Sequence, residues 1–205
     1  ELFELRRAHR FDELVKECQE RLALDATNME AADNLASALK ALGRYAEALP
    51  YYKMVGEDEK RTRLAQGLPG RQEDIACLHW MLGDRVTGMR LMAGLVDGIL
   101  DGSINYGDIA GGVSQGLLLY YMGVTAADEA AQAKALCYLR DRAKRSAAKS
   151  FPGPVARYYL DEIDLPELLS AATAKRGGAR DVAGAIDAAR DDLLTRRFVC
   201  VALFH

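Results

Sequence analysis

The stretch from Asn28 to Val55 constrains the fold more than any other part of the 205-residue chain. Ala32, Leu35, Ala36, Leu39 and Leu42 recur at i, i+3, i+4, i+7 and i+10, which predicts one apolar stripe along a helix. Gly43 is placed to end that helix, because glycine adopts the left-handed conformation that helix ends often need. A second stripe follows at Ala48, Leu49, Tyr52 and Val55. The small side chains of Ala36 and Ala48 let the two backbones approach closely. Neither helix can bury its stripe alone, so the pair requires further pairs beside it.

Within this stretch Leu35, Ala36, Leu39, Gly43, Tyr45, Ala48 and Tyr52 follow the pattern of a tetratricopeptide repeat (TPR), which the chain therefore resembles. Ala32 stands in the family's large first position, Val55 in its last small one, and Lys60 where a proline is common. Pro50 falls early in the second helix, where it implies a mild kink. The resemblance implies an all-α fold: a right-handed α-α superhelix of helix-turn-helix pairs, a TPR-like solenoid with a divergent C-terminal helical cap.

Other segments extend the pattern. Residues 11–28 resemble the second helix and exit turn of an earlier copy, with Phe11 and Leu14 one 34-residue period before Tyr45 and Ala48. The short remnant of its first helix, at Leu2 and Leu5, suggests residues missing before Glu1. Gly56 to Arg71 reads as a lengthened helix followed by a surface loop, because the next turn glycine is delayed to Gly83. A third pair follows, with stripes at Ile75, Ala76, His79, Leu82 and at Met89, Met92, Leu95, Val96. A fourth has Val113, Gly116, Leu117 and Tyr120, then Ala130, Ala133, Leu136, Cys137 and Leu139. Gly123 is expected to end the first of these helices and Thr125 to cap the next. The segment from Phe151 to Pro154 is the clearest break. It divides the expected TPR-like repeats of residues 1–150 from divergent helices at 151–205 that pack on the same solenoid.

Several chemistries find no footing. Cys18, Cys77, Cys137 and Cys200 form no CxxC pair and are read as reduced, buried structural residues of a cytoplasmic protein. His79 lies on an apolar helix face with no second metal ligand at i+4. Asp101, Ser103 and Asn105 are spaced like a calcium loop, but its glycine is displaced to Gly107 and Gly112 stands where a glutamate is required. No nucleotide loop and no convergent acid, base or nucleophile set occurs. An enzyme is therefore not expected, and no catalytic, cofactor or metal residues are assigned. The net charge of −3 gives no bulk attraction to nucleic acid or membrane. The basic run at Arg140, Arg142, Lys144, Arg145 and Lys149 reads as a solvated helix end.

By the resemblance, the first helix of each pair lines the concave side. Asp33, Ser37 and Lys40 lie opposite the apolar stripe of their helix, and Glu73, Asp74, Cys77 and Trp80 form the matching face of the third pair. Ser114, Leu117, Tyr120 and Tyr121 do so in the fourth. The expected partner-binding residues are Asp33, Ser37, Lys40, Glu73, Asp74, Trp80, Tyr120 and Tyr121. The partner is another protein of basic or mixed charge. Asn34 matches one asparagine of the chaperone-binding TPR clamp, but Asp33, Ser37, Gly70 and Asp74 replace its other members, so a free carboxylate would be repelled. The leading function is thus a non-enzymatic protein-binding module. Two alternatives stand beside it: an immunity protein that neutralises a bacterial toxin by direct binding, and a structural scaffold that self-associates through residues 198–204.

Overall fold

The computed structural model describes residues 2–63, 71–104, 112–145, 149 and 153–174. These residues form helices without any strand, and the chain divides into two compact units, Glu1–Asn105 and Tyr106–His205. The expected self-association run at 198–204, and Asn105 and Gly107 of the calcium-like spacing, lie outside the described residues.

The first unit contains α1 (Leu2–Arg7), α2 (Phe11–Leu24), α3 (Met29–Ala41), α4 (Tyr45–Arg63), α5 (Gln72–Met81) and α6 (Arg85–Leu100). Each helix packs on the next, and α1 also touches α3. Three-residue links such as Leu42–Gly43–Arg44 force the paired helices antiparallel. The core is built from the stripes read in the sequence. Leu35, Ala36, Leu39, Ala48 and Tyr52 are buried, joined by Leu14, Cys18 and Leu78. Burial of this apolar surface is the main force holding the hairpins together. The α4 helix continues through Pro50 to Arg63, longer than a standard second helix, as the delayed Gly83 implied.

In α5 the buried stripe differs from the predicted one. Ala76, Cys77, Leu78 and Trp80 face inward, while Leu82 is 43% exposed at the helix end. Ile75 and His79 are half-buried. His79 Nδ1 lies 3.0 Å from the Asp84 carboxylate, so one ring nitrogen has a partner.

The second unit contains α7 (Val113–Thr125), α8 (Glu129–Ala143), α9 (Gly153–Tyr159) and α10 (Leu165–Ala174). Here α7 packs on α8, α9 packs on both, and α10 packs on α9. Two sequence expectations are corrected. Gly123 does not end α7. It is buried within the helix, and a Cβ there would come within 3.0 Å of the Gln132 backbone nitrogen. The glycine serves close approach rather than termination. Thr125 does not cap α8 either: its hydroxyl donates to the Tyr121 carbonyl at 2.8 Å, and Asp128 is the cap, accepting from Ala131 N–H at 2.9 Å.

The buried face of α8 is Ala131, Ala135, Tyr138, Leu139 and Arg142; of the predicted stripe Leu139 is buried and Leu136 half-buried, while Ala130, Ala133 and Cys137 are exposed, so the face is rotated by one to two residues. The shift arises because Tyr138 and Arg142 are amphipathic and read as surface residues in the sequence. Arg142 is therefore no solvated helix end. It is 3% exposed, lies 5.1 Å over the Tyr138 ring, and is 3.0 Å from the Asp141 carboxylate. Tyr138 in turn donates to the Gly112 carbonyl at 2.6 Å, tying α8 to the start of α7.

One turn recurs. Gly43 is left-handed at φ 75°, with its N–H on Lys40 O at 3.1 Å and the Arg44 N–H on Leu39 O at 2.8 Å. These paired bonds are a Schellman helix ending. The same two bonds close the ends of α1, α7 and α9 around His9, Ala127 and Asp161, each left-handed without being glycine. Gly83 is left-handed at the end of α5. His9 and Gly43 stand 34 residues apart, and so do Ala127 and Asp161.

Candidate functional site

The first-unit residues expected to bind a partner fall into two groups. Asp33, Ser37 and Lys40 lie along one side of α3, and Asp74 meets them from α5. Lys40 Nζ donates to Asp74 Oδ1 at 2.6 Å and sits 5.3 Å above the Tyr52 ring. Ser37 Oγ is 3.3 Å from the Tyr52 hydroxyl. Burial, followed by the nearby Asp74 charge, raises the pKa of that phenol, so it stays neutral. Glu73 is half-buried on the first turn of α5, beside this group.

Arg71, which the sequence placed in a loop, organises the cluster. It occupies the residue before α5 and reaches three helices. Its guanidinium donates to Asp33 Oδ2 of α3 at 2.8 Å, lies 3.5 Å from Glu59 of α4, and lies 3.9 Å from Asp74 of α5. The two carboxylates expected to make this face acidic are thus each matched by a cation. The ion pairs are two-thirds or more buried, which strengthens them relative to freely exposed pairs. Asp33 Oδ1 is buried on the inner side of the network, while Oδ2 takes the Arg71 bond.

Trp80 stands apart. It is 8% exposed at the end of α5, with Arg85 over its ring at 5.4 Å. Its place is in the packing of α5 against α6, where Gly88 comes so close that a Cβ would lie 2.9 Å from Trp80 N. Cys77, on the same helix, is likewise buried.

In the second unit Ser114 and Leu117 are buried, while Tyr120 is half-buried and Tyr121 is 40% exposed. Tyr120 is drawn into an aromatic group the sequence did not reveal. Its ring centroid is 5.1 Å from that of Tyr159, which is 5.7 Å from that of Tyr158. Such spacings suit the tilted and edge-on packing that aromatic quadrupoles favour.

Cysteine behaves as two classes. Cys18 is buried in the first-unit core, and burial pushes its thiol up to about 11, whereas Cys137 is exposed on α8. Exposure of Cys137 departs from the buried role expected for it. Among the described residues no group of three or more His, Cys, Asp or Glu side chains is arranged to hold a metal ion. Among the same residues no helix is long and apolar enough to cross a membrane. No protein-family model, curated protein or solved structure matches the chain.

Proposed function

We propose that this chain is a protein-binding module built from divergent TPR-like helical hairpins, with the α3/α5 face as its binding surface. Recurrence of one helix-ending turn at a 34-residue spacing supports the repeat reading, since 34 residues is the length of a TPR unit. The observation that carries the binding reading is the network on α3, α4 and α5. Asp33, Lys40, Glu59, Arg71 and Asp74 hold one another in fixed positions while remaining partly open to solvent. A polar surface ordered in advance loses less side-chain entropy when a partner docks. Asp33 and Asp74 are each already paired with a cation, so the fitting partner has mixed charge and places its donors against the exposed edges of the carboxylates.

The test is capture of a partner from the native source by the chain and by a Ser37→Lys/Glu73→Lys double variant. These positions border the network without being its main ion pairs. Folding is checked through the fluorescence of Trp80, the chain's one tryptophan. A captured protein lost in the double variant but kept in Glu20→Lys, on the exposed side of α2, supports the reading. Retention in the double variant removes the α3/α5 face from the binding surface. Recovery of nothing but the bait replaces partner binding with self-association.

A further inference from the structure

The second unit carries a wide, open groove of about 820 Å³. Its walls include Tyr120 of α7 and Tyr158 and Tyr159 of α9, and its rim is supplied by the α9–α10 turn and the start of α10. Asp161, Asp164 and Glu167 line it and are exposed, and among the described residues none of the three has a basic partner. Glu162 also lines it, at 3.4 Å from Arg157, which is the one ion pair at the rim among those residues. We propose that this tyrosine-walled, acid-rimmed groove holds a cationic segment of a partner protein, bearing lysine or arginine side chains.

Two forces point to that occupant. The face of an aromatic ring is negative, and a cation within about 6 Å of it gains roughly 0.5–2 kcal/mol, more as water is excluded. Carboxylates at the rim draw the same charge from solution and hold it at the mouth. An anionic or purely apolar occupant would face those carboxylates without compensation. The local geometry fixes where two of them stand. Asp161 is left-handed at φ 57° in the turn that ends α9, and Asp164 accepts from Glu167 N–H at 2.9 Å as the cap of α10. Burial, with Tyr120 and Tyr158 alongside, pushes the Tyr159 hydroxyl up to about 12, so that ring stays neutral at physiological pH. The groove is open along its length, which admits an extended peptide stretch rather than enclosing a single side chain.

The inference deepens the protein-binding reading by naming the partner's chemistry, but it uses residues of the second unit alone. A chain that fails to bind through α3 and α5 still faces this test separately. The probe is a fluorescein-labelled octapeptide of alternating Arg and Gly, with a Glu/Gly peptide as control, followed by anisotropy with the full chain. Binding of the Arg peptide alone is expected. Tyr158→Phe should keep it, since the ring remains, and Tyr158→Leu should weaken it about fivefold, the loss of roughly 1 kcal/mol of cation–ring attraction. Asp161→Asn, which tolerates the left-handed backbone, and Glu167→Gln should each weaken it two- to fivefold, whereas Glu20→Gln in the first unit should not. Tetramethylammonium chloride should displace the peptide more strongly than sodium chloride at equal ionic strength. Equal binding by all variants, or by the Glu peptide, overturns the proposal. Binding of tetramethylammonium without any binding of the Arg peptide overturns the peptide occupant in favour of a small cation. If Tyr158→Leu fails to fold, the carboxylate variants and the competition between the two salts decide the matter.

Discussion

Two glycines of α6 make opposite predictions from the same helix. Gly88 and Gly94 would both be expected to weaken a helix, since glycine costs about 1 kcal/mol relative to alanine in a helix interior. At Gly94 nothing lies within 4 Å of the position an alanine methyl would take. Gly94→Ala therefore recovers the helix preference and stabilises the chain by about 1 kcal/mol. At Gly88 the same methyl would lie 2.8 Å from the Ala76 carbonyl oxygen and 2.9 Å from the Trp80 backbone nitrogen. Both are backbone atoms of α5, so no rotamer change relieves the clash. The helices must separate by roughly half an ångström, opening the packing around Trp80 and Met92.

Overpacking of this kind costs about 1–3 kcal/mol, and rigid backbone on one side of the contact places it at the upper end. After the gain of about 1 kcal/mol from helix preference, Gly88→Ala should destabilise by about 2 kcal/mol. For a unit of this size that lowers the unfolding temperature by about 10 °C, against a rise of about 5 °C for Gly94→Ala. Urea unfolding followed by Trp80 fluorescence reads the contact directly, because that indole sits at the α5–α6 interface. If Gly88→Ala proves as stable as Gly94→Ala, close backbone approach is not what holds α5 against α6.

Other perturbations test other parts of the fold. Arg71→Ala should cost about 1–2 kcal/mol, because it leaves the half-buried Asp33 without its guanidinium, and the loss should shrink in 1 M salt; urea melts at two salt concentrations check both. Ala127 is left-handed at φ 54°, a strain that glycine lacks, so Ala127→Gly should raise stability by about 0.5–1 kcal/mol in a thermal melt. Cys18 should resist iodoacetamide at pH 8 while Cys137 reacts, as read by peptide mass mapping. The Cys18 thiol is raised by burial from 9.0 to about 11, so the folded state keeps a proton that the unfolded state loses. Its contribution to stability is complete below pH 9 and is lost as pH rises toward 11, and Cys18→Ala should flatten that slope in pH-dependent denaturation.

Local features of the first unit were legible because local rules determine them. The α3 and α4 stripes, the small contacts at Ala36 and Ala48, and the turn at Gly43 each follow from spacing or from one residue's backbone freedom. Legibility fell where a residue type has two roles. Gly123 looked like a helix end and is a packing glycine, because glycine permits both a left-handed turn and a close approach. Conversely His9, Ala127 and Asp161 occupy the left-handed turn position that Gly43 marks openly, so the recurring turn was hidden at three of its five positions. Arg142 and Tyr138 hid the buried face of α8 by carrying polar tips on long apolar bodies.

The candidate sites depended on a different kind of information. A sequence gives the sign of each charge on a helix face but not which opposite charge reaches it from another helix. Asp33 and Asp74 therefore read as an acidic surface, although Arg71 is 38 residues from Asp33 and Lys40 is 34 from Asp74. Once these pairs form, Lys40 and Arg71 offset two of the three carboxylates in the network, so the field of the face is weakened and its directed donors and acceptors weigh more in choosing a partner. The acid-rimmed groove of the second unit differs in this respect, since Asp161, Asp164 and Glu167 have no cation among the described residues to quench them. Of the two surfaces, the second is the one whose association rate should fall steeply with added salt, and the first the one whose affinity should depend on the placement of Lys40 and Arg71. Stopped-flow association across a salt series separates them: a captured partner whose on-rate is insensitive to salt cannot be entering through the tyrosine groove.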